Sequence, residues 1–210
     1  MKQNFELRNA AWNTLSGNWG NSVLIYFLIS LVSGIISGTV AVLLPELSSI
    51  ANLATSIFLI YPLIYVFVVK LMSLVRENKP IALNDFIDTF KVKYSRALPV
   101  MGLTFVYIFL WTLLLIIPGI IKSYSYALTV YISEDNPELT PEECINKSME
   151  MMNGNKWKLF LLDLSFIGWF FLSILTLGIA LLWFRPYLET ARIYFYEDLK
   201  SSLETKAIEE

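Results

Sequence analysis

Four stretches of this chain contain no Asp, Glu, Lys or Arg: residues 9–45, 47–69, 97–121 and 164–184, with a shorter run at 123–133. A helix needs about 20 apolar residues to cross about 30 Å of hydrocarbon, so each of the first four runs can span a membrane alone. A buried core helix of a soluble protein is the alternative for any single run, but four in 210 residues argue against it for the set. The composition agrees, with 56% apolar and 16% charged residues against about 25% charged in a soluble domain. The expected fold is all-α: one integral membrane domain over residues 1–210, a polytopic helical bundle of about six spans. These are expected as three hairpins, each preceded by an amphipathic interfacial helix.

Orientation follows from the cations. Lys70, Arg76, Lys79, Lys91, Lys93 and Arg96 crowd one connection, Lys147, Lys156 and Lys158 another, and both termini carry Lys or Arg. Positive loops stay inside, so both termini are expected on the cytoplasmic side of the plasma membrane, with only Lys122 towards the opposite face. The outer turns are expected at Leu44-Pro45-Glu46, at Pro118-Gly119 and over residues 175–178, where helix-ending residues fall. The fourth span, 120–133, is short unless it runs past Glu134; a re-entrant segment is the alternative. The apolar run from Val23 exceeds a signal-peptide core and reads as an uncleaved first span.

The absent residues bound the chemistry. With no histidine and a single cysteine, Cys144, there is no His general base, no His metal site and no internal disulfide. A net charge of -2 offers no basic surface for nucleic acid. No cofactor is expected, and no enzymatic activity. The expected partners are membrane lipids and a protein at the cytoplasmic face.

An internal repeat is expected over residues 3–78, 80–135 and 138–200, with chance similarity among apolar segments as the alternative. Leu15-Ser16-Gly17-Asn18 and Met152-Asn153-Gly154-Asn155 each follow a short amphipathic stretch and each precede a Trp and an apolar run. In the third unit Thr140 is an N-cap, Pro141 the first helical residue, Glu143 the capping-box partner and Gly154 the stop. Ile145, Met149 and Met152 should then share an apolar face, with Glu142, Lys147 and Glu150 opposite. The second unit places Phe86, Ile87, Phe90 and Tyr94 beside Lys91, Lys93 and Arg96, as in a helix lying at the interface.

Gly17-Asn18-Trp19-Gly20, Ile117-Pro118-Gly119-Ile120, Asp135-Asn136-Pro137-Glu138-Leu139, Lys147-Ser148 through Lys156-Trp157, and Asp163-Leu164-Ser165-Phe166-Ile167-Gly168-Trp169 resemble a bacterial integral membrane family, domain-of-unknown-function family 975. The pattern is more distantly similar to the membrane domain of some glycerophosphodiester phosphodiesterases, whose catalytic domain has no counterpart in this sequence. The resemblance implies a membrane protein and brings no catalytic or binding residue.

Several polar residues lie within apolar segments. Ser30, Gly34 and Gly38 form a small-residue face on the first span, expected to pack within the chain, with a homodimer seam as the alternative. Ser48, Asn52 and Ser56 form a polar stripe on the second, expected to bond between helices, with a wet cavity as the alternative; Pro62 should kink that span. Trp12, Trp19 and Trp157 are expected as interfacial anchors, and Trp111, Trp169 and Trp183 nearer the outer side. Asp163, Arg185, Glu189 and Arg192 are charges in the third hairpin, each costing about 2.5 to 3.5 kcal/mol in hydrocarbon unless paired. At 1.5 Å per residue, Asp163 and Arg192 lie about 9 and about 10 Å from the cytoplasmic boundary, equidistant from a turn at residues 177 and 178. They are therefore expected to form an intramembrane ion pair, with Glu189 one turn away as a competing acceptor.

The functional expectation is a non-enzymatic envelope, secretion or resistance-associated protein acting through partners. The alternative is a small transporter or lipid-handling protein with a cavity among the hairpins. The orientation is testable: in a Cys144→Ser background, single cysteines placed within residues 79–93 should resist impermeant thiol reagents in intact cells. Labelling there would reverse the topology.

Overall fold

Glycine sets the first and third entries into the apolar segments. α1 (Asn4–Leu15) gives way to α2 (Trp19–Leu43) through Gly17, whose φ is +87°. Farther along, α8 (Pro141–Met151) gives way to α9 (Lys156–Leu164) through Gly154, at φ +74°. Such left-handed residues end helices, and glycine adopts them without a Cβ penalty. The asparagine after each glycine donates its side-chain amide to the carbonyl four residues back, Asn18 to Thr14 at 3.3 Å and Asn155 to Met151 at 3.1 Å. The two breaks thus share a hydrogen-bonding plan.

The structure, a computed structural model, describes the backbone of residues 2–209 and the side chains of residues 2–205. Its remaining helices are α3 (Ser48–Thr55), α4 (Tyr61–Glu77), α5 (Leu83–Leu114), α6 (Ile116–Ser125), α7 (Thr129–Asp135), α10 (Ile167–Leu175) and α11 (Leu181–Glu209). Among the described residues there is no strand. A 3-10 turn over Pro45–Leu47, α3, a π-helical turn over Ser56–Ile60 and α4 run on as one rod from Pro45 to Glu77. Pro62 explains the irregular turn, because it has no N–H to give the Phe58 carbonyl four residues earlier. Tyr94 of α5 donates its hydroxyl to that carbonyl instead, at 2.8 Å.

Among the described residues three helices are long and apolar enough to cross a membrane: Trp19–Leu43, Pro45–Glu77 and Leu83–Leu114. A fourth crossing results if α9 and α10, bent by 41° at Ser165 and Phe166, count as one. Other segments differ from the sequence expectation. Residues 120–133 are divided between α6 and α7 by a turn at residues 126–128, and α11 is long but carries Arg185, Glu189, Arg192, Glu197 and Asp198. The interfacial helix of the second unit is no separate element, since residues 86–96 belong to the same rod as the span that follows. The turn expected at Pro118-Gly119 lies at Leu115, extended at φ -160° and ψ 140°, three residues before Pro118. Pro118 occupies the first turn of α6, where no intrahelical donor is required. Gly119 sits against α5 so closely that a Cβ there would come within 2.8 Å of the Thr112 Cα.

The core surrounds α4. Every residue from Tyr65 to Met72 is buried, and two consecutive turns with no exposed face need neighbours on all sides. These are α1, α2, α5, α7 and α11. Burying a large apolar side chain contributes about 1.5 to 3 kcal/mol where water is the alternative. Lys70 lies within this buried run, and its ammonium reaches Asp85 of α5 at 2.7 Å. α1 packs on α11 through Leu7, Ala11 and Leu15, with Thr14 and Tyr194 hydroxyls 2.7 Å apart. In α8, Cys144, Ile145 and Ser148 are buried and Met149 is half-buried, and Met152, which caps the helix, is buried too. The apolar faces of α1 and α8 therefore meet protein.

One cation closes this end of the molecule. Arg96 donates to the Ser133 hydroxyl at 2.9 Å, to the Asn136 carbonyl at 3.1 Å and to the Leu139 carbonyl. It thereby supplies donors to the irregular chain between α7 and α8. Arg96→Gln should leave those carbonyls without a charged donor, at a cost of about 1 to 3 kcal/mol each if they stay buried. We expect limited proteolysis in detergent to cut near residues 136–140 in this variant and not in the parent; equal resistance would discount the role.

Candidate functional site

The third unit brings opposite charges together where α9 meets α11. Arg192 holds Asp163 with two parallel hydrogen bonds, Nε to Oδ1 at 2.9 Å and Nη2 to Oδ2 at 2.7 Å. Such a fork on a carboxylate is both strong and directional. Tyr124 of α6 donates its hydroxyl to Oδ2 at 3.1 Å, so three helices meet on one carboxylate. Glu189, one turn from Arg192, approaches its guanidinium at 3.8 Å, too far for a hydrogen bond but near enough to share its charge. Arg185 stands apart, half-buried and in no ion pair with a described residue. Side-chain exposures of 16% for Asp163 and 28% for Arg192 leave the pair open to a shallow apolar groove of about 220 Å³, walled by Phe166, Ile167, Phe170, Phe184 and Leu188.

Below the pair, the chain break between α9 and α10 is dressed by α1. Arg8 donates to the Ser165 carbonyl at 2.9 Å and lies 5.0 Å over the Phe166 ring. Phe166 packs on Tyr187 at 4.8 Å, and Tyr187 also meets Trp12 at 5.5 Å, Trp169 at 5.9 Å and Trp19 at 6.3 Å. Trp169 therefore shares one aromatic cluster with Trp12 and Trp19.

A second charged cluster joins α4, α7 and α11. Asp135 accepts from Arg76 at 2.6 Å, from Lys200 at 2.8 Å and from the Tyr196 hydroxyl at 2.8 Å, while Arg76 also binds Glu197 at 2.6 Å. Burial alone would raise the Asp135 pKa; the bonds from Arg76, Lys200 and Tyr196 outweigh it and hold the carboxyl below its usual range. A depressed folded-state pKa stabilises the fold above the ordinary carboxylate range, and the contribution is lost as pH falls through the lowered value. The neighbouring Asn136 accepts from Lys147 at 2.9 Å. On α8 the Glu143 carboxylate is held low by the Thr140 backbone N–H and hydroxyl, at 2.7 and 2.8 Å, which is the capping box. In the sequence Arg76 and Arg96 read only as inside-facing cations. Their long spacing from residues 133–136 hides the partnership.

The remaining candidate residues are not assembled into a site. Ser30, Gly34 and Gly38 are all exposed, and nothing lies within 4 Å of a Cβ built on either glycine, so this face does not pack within the chain. In the polar stripe Ser48 bonds the Pro45 carbonyl and Ser56 the Asn52 carbonyl, both at 2.8 Å, and the buried Oδ1 of Asn52 has no partner. The stripe serves its own backbone and, among the described residues, makes no bond to another helix. Among the described residues no group of Cys, Asp and Glu is placed to hold a metal ion.

The model of the protein family of unknown function DUF975 matches residues 1–125 and 94–202. The chain belongs to that family. No curated protein and no solved structure matches it, and the likeness to glycerophosphodiester phosphodiesterases has no support among these comparisons. For this DUF975 member the motifs shared with the family acquire structural roles: the stretch from Asp163 to Trp169 contains both the ion-paired carboxylate and the α9 to α10 bend, and the stretch from Asp135 to Leu139 is the segment held by Arg76, Arg96, Lys147 and Lys200.

The pair can be tested by a double-mutant cycle. Asp163→Asn and Arg192→Gln should each destabilise the protein by about 3 kcal/mol, because each leaves an unpaired partner. The double variant should lose much less than the sum, measured by thermal unfolding in detergent. Strict additivity would show that the two do not interact.

Proposed function

We propose that this protein is a non-enzymatic component of the bacterial plasma membrane that assists envelope assembly, secretion or resistance by docking another protein on its cytoplasmic face. In this reading both termini are cytoplasmic and the segment 120–133 re-enters, which the nearness of Lys122 to Met149 of α8 and of Ile120 to Lys156 of α9 supports.

The observation that carries the proposal is the mounting of α8. One face, from Cys144 to Met152, is fixed in the core, its first turn is locked by the capping box, and Gly154 ends it. The opposite face presents Glu142, Asn146 and Glu150 in exposed positions one turn apart. Rigid charge displayed on a surface steers and orients a partner of opposite sign, so the partner surface is basic. The strongly held carboxylates, Asp163 and Asp135, are occupied by fixed donors, which suits structural roles better than proton transfer.

A photoreactive residue at Asn146 should give an adduct with another protein in living cells, and Glu142→Lys with Glu150→Lys should abolish it while membrane levels of the protein stay unchanged. An adduct that survives the double charge reversal would refute the proposal.

A further inference from the structure

We propose that the groove between α6 and α9 holds an acyl chain of an anionic phospholipid whose headgroup faces Lys156. The groove has a volume of about 220 Å³ and is walled by Ile120, Ile121, Tyr124, Lys156, Trp157 and Phe160. Its walls present no polar atom, so Lys156 lends them its methylene stem and keeps its ammonium outside, as long cationic side chains do at a membrane surface.

The aromatic walls are braced. The Trp157 ring stacks on Phe160 at 4.9 Å and Tyr124 meets Phe160 edge-on at 6.0 Å. The Tyr124 hydroxyl is anchored on Asp163 at 3.1 Å, so this wall is tied to the ion pair and the groove cannot close by turning that ring inward. Trp157 is 65% exposed and Ile120 53%, which places the groove on the outside of the bundle.

Charge selects the occupant. Lys93 reaches Glu134, Lys147 reaches Asn136 and Lys200 reaches Asp135, whereas the Lys156 ammonium has no ion pair or hydrogen bond among the described residues. An apolar trough with one uncompensated cation at its edge matches a hydrocarbon chain joined to an anionic head.

Native mass spectrometry of the detergent-purified full chain, mixed with phosphatidylglycerol or phosphatidylcholine of the same acyl chains, tests this. A single lysine near anionic lipid corresponds to a preference of roughly fivefold, so the parent protein should retain phosphatidylglycerol that much more than phosphatidylcholine. Lys156→Gln should abolish the preference, and Lys91→Gln on α5 should not. Ile121→Trp, at a position whose side chain is exposed, should lower retention of both lipids by filling the trough. The proposal is overturned if the two lipids are retained equally by the parent, if the preference survives Lys156→Gln, or if Ile121→Trp changes nothing.

Discussion

A peptide group in hydrocarbon has no water to bond, so every N–H and C=O along the apolar runs needs a partner within the protein. The polar side chains of the spans are organised around that need. Ser30, Thr39, Ser56, Thr104, Thr112 and Ser173 each donate a hydroxyl to the carbonyl four residues back on their own helix. Where the helix departs from regularity, a more distant donor intervenes: Tyr94 at the Phe58 carbonyl before Pro62, and Arg8 at the Ser165 carbonyl where α9 bends into α10. Irregular backbone thus occurs where another helix has brought a donor to it.

Charge obeys a similar economy. Lys70 with Asp85, Arg192 with Asp163, and Asp135 with Arg76 and Lys200 are all contacts between helices. Most of them gather near the end of α4 that is buried on every side. Val42, Leu43, Leu113, Ile117, Leu175 and Leu177, near the turns between apolar helices, are exposed. In a membrane those side chains meet lipid, so the helices are tied to one another by polar contacts while these turns face hydrocarbon.

Local chemistry was legible in the sequence. Thr140 and Glu143 mark their helix start, Gly17 and Gly154 their breaks, and an antiparallel register alone sets Asp163 opposite Arg192. The charge-free runs located the apolar segments, and each of the first three contributes most of its length to one long helix. Long-range partnership was not legible. Arg96 reads as one more inside-facing cation until the fold brings the loop after α7 beneath it. The outward face of Gly34 and Gly38 could not be read either, because a small-residue pattern gives a helix face and not the neighbour it meets. The separate interfacial helix of the second unit failed for a different reason: amphipathic and wholly apolar patterns share one helical period, so nothing between residues 86 and 97 told the helix to stop.

The contact of Gly119 with Thr112 sets a limit on how this family can vary. A methyl group at position 119 would meet backbone at 2.8 Å, and backbone, unlike the tip of a side chain, has no rotamer to escape into. Lineages that keep this hairpin are therefore confined at position 119 to the one amino acid without a β-carbon, however freely their lipid-facing leucines and isoleucines drift.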